Sequence, residues 1–215
     1  MRARLVALLV LAGLGPGAPG CVSLKRTPEA RFFVLRSLAE PPAEPPADAS
    51  GPLVAVLPVR LPGYIDRPQL VTWTAPGELR IDEFLRWAEP LDAGITRTVA
   101  ENLDALLPES HVLRSPWTAT AQPRCRVWLQ LDLFGPQAGG EVRLEGRWAV
   151  LPPRDARPLV TKPFELRRGP FVGAAKGSPD ASVGVDAMSE LLADVSREIA
   201  AAVRALPPDA GGEGR

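Results

Sequence analysis

The sequence predicts an α+β fold, a two-layer sandwich in which a mixed, mostly antiparallel sheet is covered by two helices. Three observations carry this. The runs 124–134 and 142–150 alternate apolar and polar residues with period two, as strands with one buried face do. The runs 91–106 and 183–206 each carry one apolar stripe at helical spacing, and such a helix needs a second layer to cover that stripe. Hydrophobic residues make up 46% of the chain and charged residues 23%, ordinary globular usage that supports a packed core.

The first twenty residues read as a secretory signal. Arg2 and Arg4 form a charged start, and Leu5 to Leu14 form an apolar run of roughly ten residues, where a membrane span needs about 20. Gly15-Pro16-Gly17-Ala18-Pro19-Gly20 then breaks the helix ahead of Cys21. A cysteine after a small residue at this place resembles the bacterial lipobox, which implies cleavage before Cys21 and acylation there. Ala18 and Pro19 stand where that motif has leucine and a small residue, while Gly20 fits it. Ordinary cleavage would instead leave a soluble periplasmic protein with a free thiol. Val22 follows where an aspartate would retain a lipoprotein in the inner membrane, so the expected place is the periplasmic face of the outer membrane.

Residues 21–30 form a short tether, and 31–207 the expected single domain. Phe32 to Leu35 is a strand candidate, and 40–52, with its paired prolines, reads as an extended loop. Leu53 to Val59 is apolar on both faces, like a central strand. Gln69–Thr74 and Glu78–Asp82 flank Ala75-Pro76-Gly77, a hairpin signal. Pro90 suits the first position of a helix whose stripe is Leu91, Ile95, Val99, Leu103 and Leu106, and Pro108 stops it. His111 to Arg114 is a weak strand. In 124–134, Cys125, Val127, Leu129, Leu131 and Leu133 share a face; in 142–150, Val142, Leu144, Trp148 and Val150 do, with Arg143, Glu145 and Arg147 opposite. Pro158 to Arg168 completes a meander, and 169–180 is a glycine-containing loop. The last helix has Met188, Leu192, Val195, Ile199 and Val203 in its stripe, and the tail 208–215 is expected to be disordered.

Chemistry is sparse. His111 is the single histidine, with no nucleophile elbow near it, and clustered Cys and His for zinc are missing. No phosphate-cradling glycine motif is present, so no catalytic residue, metal or cofactor is expected. Asp82 with Glu83, Glu101 with Asp104, and Asp194 with Glu198 are the nearest carboxylate pairs; the last two pairs sit on polar helix faces and read as solvated. Arg154, Arg157, Lys162, Arg167 and Arg168 make one strand region basic. Without Arg2 and Arg4 the chain holds 23 basic against 25 acidic groups, no basis for nucleic-acid binding. Cys125, in an apolar alternation, reads as a core residue.

Two clusters stand apart from a generic sandwich. Pro58 to Val71 sets Tyr64, Ile65, Asp66 and Arg67 between prolines, and Phe84 to Pro90 sets Trp87 beside charges. Both place apolar rings next to charges in irregular backbone, as binding surfaces often do. Tyr64, Asp66, Arg67 and Trp87 are therefore the candidate partner-binding residues. The plainer alternative has Tyr64 and Trp87 filling the core edge and Arg67 paired with a carboxylate such as Glu89.

Together with Phe32-Phe33-Val34-Leu35, Glu78-Leu79-Arg80, Arg86-Trp87-Ala88-Glu89-Pro90-Leu91, Ala100-Glu101-Asn102-Leu103 and Ser196-Arg197-Glu198-Ile199-Ala200, these clusters resemble the ABC-type transport auxiliary lipoprotein family, the PqiC/YmbA-like proteins. The resemblance covers nearly the whole mature chain. It implies a docking component and not an enzyme, serving systems in which an ABC transporter and MCE-domain proteins move lipids between membranes. A homo-oligomer is compatible with it. The rival readings are a periplasmic lipid or small-molecule binding module, with a pocket between sheet and helices, and, least favoured, an envelope hydrolase.

Overall fold

In the computed structural model, which describes residues 28–38, 51–117, 122–154, 157–170 and 180–207, the chain runs β1 (Arg31–Phe33), β2 (Leu53–Val56), β3 (Gln69–Ala75), β4 (Glu78–Trp87), α1 (Leu91–Leu106), β5 (His111–Arg114), β6 (Cys125–Pro136), β7 (Val142–Leu151), β8 (Val160–Arg168) and α2 (Ala181–Arg204). The expected signal 1–20, Cys21 and most of the tether, the stretch 40–50, most of the loop 169–180 and the tail 208–215 lie outside the described residues.

The α+β class holds, and the sheet divides in two. Among the described residues one sheet has the order β5-β2-β6-β7-β8 and the other β1-β4-β3. β6, β7 and β8 form the expected antiparallel meander. β2 lies between β5 and β6 and is parallel to both. A strand that returns parallel needs a crossover, and α1 supplies it between β2 and β5. The small sheet is the β3–β4 hairpin, turned at Gly77 with φ of 77°, plus β1 parallel to β4. β4 runs five residues past the expected Asp82 because its register jumps: Leu70 faces Asp82, whereas Gln69 faces Arg86. Asp82 Oδ1 accepts from the backbone N–H of Phe84 at 3.0 Å and of Leu85 at 3.1 Å, satisfying donors the irregularity frees.

Both helices cover the five-stranded sheet, α1 over β2 and β5, α2 over β6, β7 and β8. All five residues of the expected α2 stripe are buried. Asp180 caps this helix, its side chain accepting from Ser182 N at 2.9 Å. In α1 the stripe holds through Leu103; Leu107, just past the helix end, takes the buried place expected of Leu106, which is only partly covered. Arg97 ties three segments together: it donates to Glu89 at 2.7 Å, to Glu101 at 2.9 Å and to the Leu35 carbonyl at 2.9 Å. Buried Asn102 accepts from Leu38 N at 2.7 Å and donates to Ser196 Oγ at 3.3 Å, joining the β1 segment, α1 and α2.

One expectation fails on β6. Cys125, Val127, Leu129 and Leu131 face the helices, but Leu133 does not complete the set. The pairing shifts between Leu131 (opposite Gly146) and Leu133 (opposite Glu145), leaving Asp132 without a cross-strand partner. An extra residue in one strand reverses the faces beyond it, so Phe134 turns inward at 2% exposure. Gly146 makes the tight crossing here. A Cβ on it would collide with the Gln130 carbonyl oxygen and lie 3.1 Å from the Phe164 ring.

Candidate partner-docking site

The 58–68 loop is held at both ends and in the middle. Beyond β2 the chain continues beside β6: Arg60 N donates to the Leu129 carbonyl at 3.0 Å, and Leu131 N to the Arg60 carbonyl at 2.9 Å. Val59 N donates to Thr96 Oγ1 of α1 at 3.1 Å. The chain then turns, with Ile65 N and Asp66 N both donating to the Pro62 carbonyl, at 3.1 and 3.3 Å. Ile65, 2% exposed, plugs the loop into the core, and Trp87 N donates to the Pro68 carbonyl at 2.7 Å.

Tyr64 sits at the crest, over the β6 bulge. Its hydroxyl donates to the Asp132 carbonyl at 2.5 Å. That residue lacks a cross-strand partner because the bulge skips it. The Tyr64 ring meets Trp73 edge-on with centroids 5.7 Å apart. Trp73 in turn packs over Gly135, where a Cβ would come within 3.1 Å of the indole. Tyr64 nonetheless remains 37% exposed, an aromatic fixed in place with one side open. Burial raises its pKa above the ordinary 10.0, and the negative charges of Asp132 and Glu145 add to this, so the hydroxyl is held as a donor.

The four predicted residues therefore separate. Tyr64 and Asp66 are exposed, Arg67 is half-buried, and Trp87 is 7% exposed. Trp87 joins Ile65, Leu70, Val71, Leu91, Phe134 and Met188 around a crevice of about 10 Å³ beneath the loop. Glu89 does not pair with Arg67, because its carboxylate is engaged by Arg97. Sequence reasoning missed the support, Trp73 and the Asp132 carbonyl; a leucine-aspartate-leucine-phenylalanine run, which admits two inward sets, was the available signal.

The remaining polar candidates are accounted for. Glu101 pairs with Arg97, Asp194 with Arg168 at 2.5 Å and Arg197 at 2.6 Å, and Glu198 with Lys162 at 2.8 Å, in place of the solvated faces expected. Asp104 Oδ1 accepts from Val112 N at 3.4 Å, and Glu83 accepts from Gln69 at 3.2 Å. The basic strand is not one patch: Lys162 and Arg168 face acids of α2, while Arg167 faces out beside Glu165. Arg154 and Arg157 are exposed in the β7–β8 connection, and His111 is half-buried on edge strand β5. Among the described residues no group of three or more His, Cys, Asp or Glu is placed to hold a metal. No helix among them is long and apolar enough to cross a membrane.

Cys125 is fully buried on β6, and burial pushes its thiol up to about 11, against a lowering by Arg124. With a folded value above the ordinary 9.0, the thiol contributes stability in full below that value, and the contribution is lost as pH rises toward about 11. In a Cys21→Ser background the folded chain should resist a disulfide reagent at about pH 8 and react once on unfolding. Reaction before unfolding would contradict the burial.

A groove of about 390 Å³ runs between residues 36–38 and α2, lined by Arg36, Arg168, Asp186, Ser189, Glu190 and Arg197 among others. Its charges are largely spent on each other, with Arg36 and Asp186 2.6 Å apart.

The model of a family described as ABC-type transport auxiliary lipoprotein component matches residues 33–200. No curated protein matches the chain. Among solved structures, an uncharacterized protein superposes with a TM-score of 0.59 at 20% identity, covering 82% of this chain and 97% of the other. A Xanthomonas campestris protein of the DUF330 family does so with a TM-score of 0.60 at 16% identity, covering 79% and 92%. At these identities the likeness is one of fold.

Proposed function

Because the chain belongs to the ABC-type transport auxiliary lipoprotein component family, we propose that it is the docking component of an ABC transporter–MCE system that moves lipid between membranes. In this reading 1–20 is removed, acyl chains on Cys21 hold the chain to the periplasmic face of the outer membrane, 21–30 is the tether, and 31–207 is the working domain. The crest of the 58–68 loop meets the MCE-domain partner. Tyr64 and Asp66 make the contact, Arg67 flanks it, and Trp87 supports it from beneath.

The observation that carries this is the pairing of a closed interior with a fixed, exposed crest. A ligand site of drug size occupies about 300–1,000 Å³, whereas the crevice between the small sheet and the helices holds about 10 Å³. The groove of about 390 Å³ beside residues 36–38 and α2 reaches that size, but its lining is chiefly charged, with Arg36 paired to Asp186 and Arg168 to Glu190, unlike the apolar lining a lipid-binding module requires. Tyr64 by contrast has its hydroxyl and one ring edge already engaged, so little side-chain freedom is lost when a partner covers it.

Affinity purification of the acylated chain from detergent-solubilised membranes is expected to recover an MCE-domain protein with ABC transporter subunits. Tyr64→Ala/Asp66→Arg should reduce that recovery at least about tenfold, since buried aromatic contacts dominate interfaces. Unchanged recovery by the double variant would refute the crest as the contact.

A further inference from the structure

The segment after the tether is apolar on both faces. Phe33 packs against the core and Leu35 is 2% exposed, as expected for the inward side. The outward residues are also apolar: Phe32 is 62% exposed and Val34 47%, and among the described residues no large apolar side chain is more exposed than Phe32. The segment lies alongside the start of α2, since Arg31 sits 3.7 Å from Asp180 and Arg36 2.6 Å from Asp186. Val183 of that first turn is 39% exposed as well. A water-facing ring beside an exposed valine on the same face of the strand marks a surface that is covered in use.

The chain's connectivity says what covers it. Ten residues lie between Cys21 and Phe32. A chain of that length spans under about 40 Å even when fully extended. An anchor at Cys21 therefore keeps this end of the domain within that distance of the bilayer. Lys25 and Arg26 lie between the two points, with Glu29 the one acidic residue from 22 to 36.

We propose that Phe32 and Val34 form a bilayer-contact edge that seats in the interfacial region of a phospholipid surface. The contact fixes the orientation of the domain on its tether. It rests on the anchor reading only for bringing a bilayer within reach.

The test uses the mature full chain with Cys21→Ser, so that no acyl chain contributes. Co-sedimentation is measured with vesicles of phosphatidylcholine containing phosphatidylglycerol, and with phosphatidylcholine alone. Binding to the vesicles is expected, and reduced about tenfold by Phe32→Ser/Val34→Ser. Phe32→Trp should bind at least as tightly, because indole favours the interface; Leu159→Ser, at an exposed site elsewhere, should bind like the parent. No binding by the parent, or equal binding by the double serine variant, overturns the proposal. Unchanged vesicle binding together with altered sedimentation velocity would assign the edge to a protein contact instead, and equally overturns it. Because every protein in this test lacks the anchor cysteine, its outcome is separate from that of membrane fractionation of the acylated chain.

Discussion

Trp87→Ala is expected to cost about 3–5 kcal/mol, as truncation of a large buried ring does, and to lower Tm by roughly 10 °C or more for a domain of this size. The indole is 7% exposed and lines the crevice beneath the 58–68 loop with Ile65, Leu70 and Phe134. Its removal leaves a void that those side chains can fill only by moving the loop. Tyr64→Ala should behave differently. It loses one hydrogen bond and one edge-on ring contact, roughly 1–2 kcal/mol together, while removing the exposed crest. Partner recovery should therefore fall with Tyr64→Ala at nearly intact stability, and with Trp87→Ala only alongside lost stability. Thermal unfolding of both variants beside affinity purification makes the distinction. A Trp87→Ala chain that melts like the parent but loses its partner would return Trp87 to the contact surface.

The second large effect is on location. Cys21→Ala should move the chain from the membrane to the soluble periplasmic fraction and leave its unfolding transition in place, because Cys21 precedes every described element. Burial of acyl chains is worth about 0.8 kcal/mol per CH₂, and stable attachment generally takes more than one chain. The proposed edge at Phe32 and Val34 is far smaller in apolar area, so its contact is reversible and is released by dilution and washing. Membrane fractions that keep the alanine variant through a salt wash would remove acylation from the account. Mass spectrometry of the parent chain reads the same point directly, as added acyl mass on a chain that starts at Cys21.

Local signals carried most of the fold. The turn at Gly77, the alternation in 142–150 and the α2 stripe each act through neighbours a few residues apart, and each element formed where its pattern lies. What stayed hidden depends on distant partners. Nothing in Leu53 to Val56 states that β2 will lie between β5 and β6, because parallel pairing has no turn of its own to mark it. The division into two sheets follows from β1 joining β4 across some fifty residues. The bulge at Asp132 was hidden for another reason: Leu133 and Phe134 are both apolar, and only the register against β7 decides which turns inward.

The site shows the same limit. The proline-flanked Tyr64-Ile65-Asp66-Arg67 run singles out one loop, and the structure shows how that loop is held: Ile65 and Asp66 turn on the Pro62 carbonyl, and Tyr64 bonds to the Asp132 carbonyl. The division of labour among them was not legible. Trp87 lies at the end of a strand whose register jump sends it into the core, and Glu89 is taken by Arg97 from the second turn of α1 rather than left for Arg67. Side-chain direction at an irregular strand end is set by its tertiary neighbours, which a linear pattern does not contain.

Site-specific photo-cross-linking in living cells addresses the docking account most directly. A photoreactive aromatic amino acid placed at Asp66 should join the chain to the MCE-domain partner, while the same group at Leu159, also exposed but beside β8 and away from the crest, should not. Adducts of equal yield from both positions, or an adduct from Leu159 alone, would contradict it.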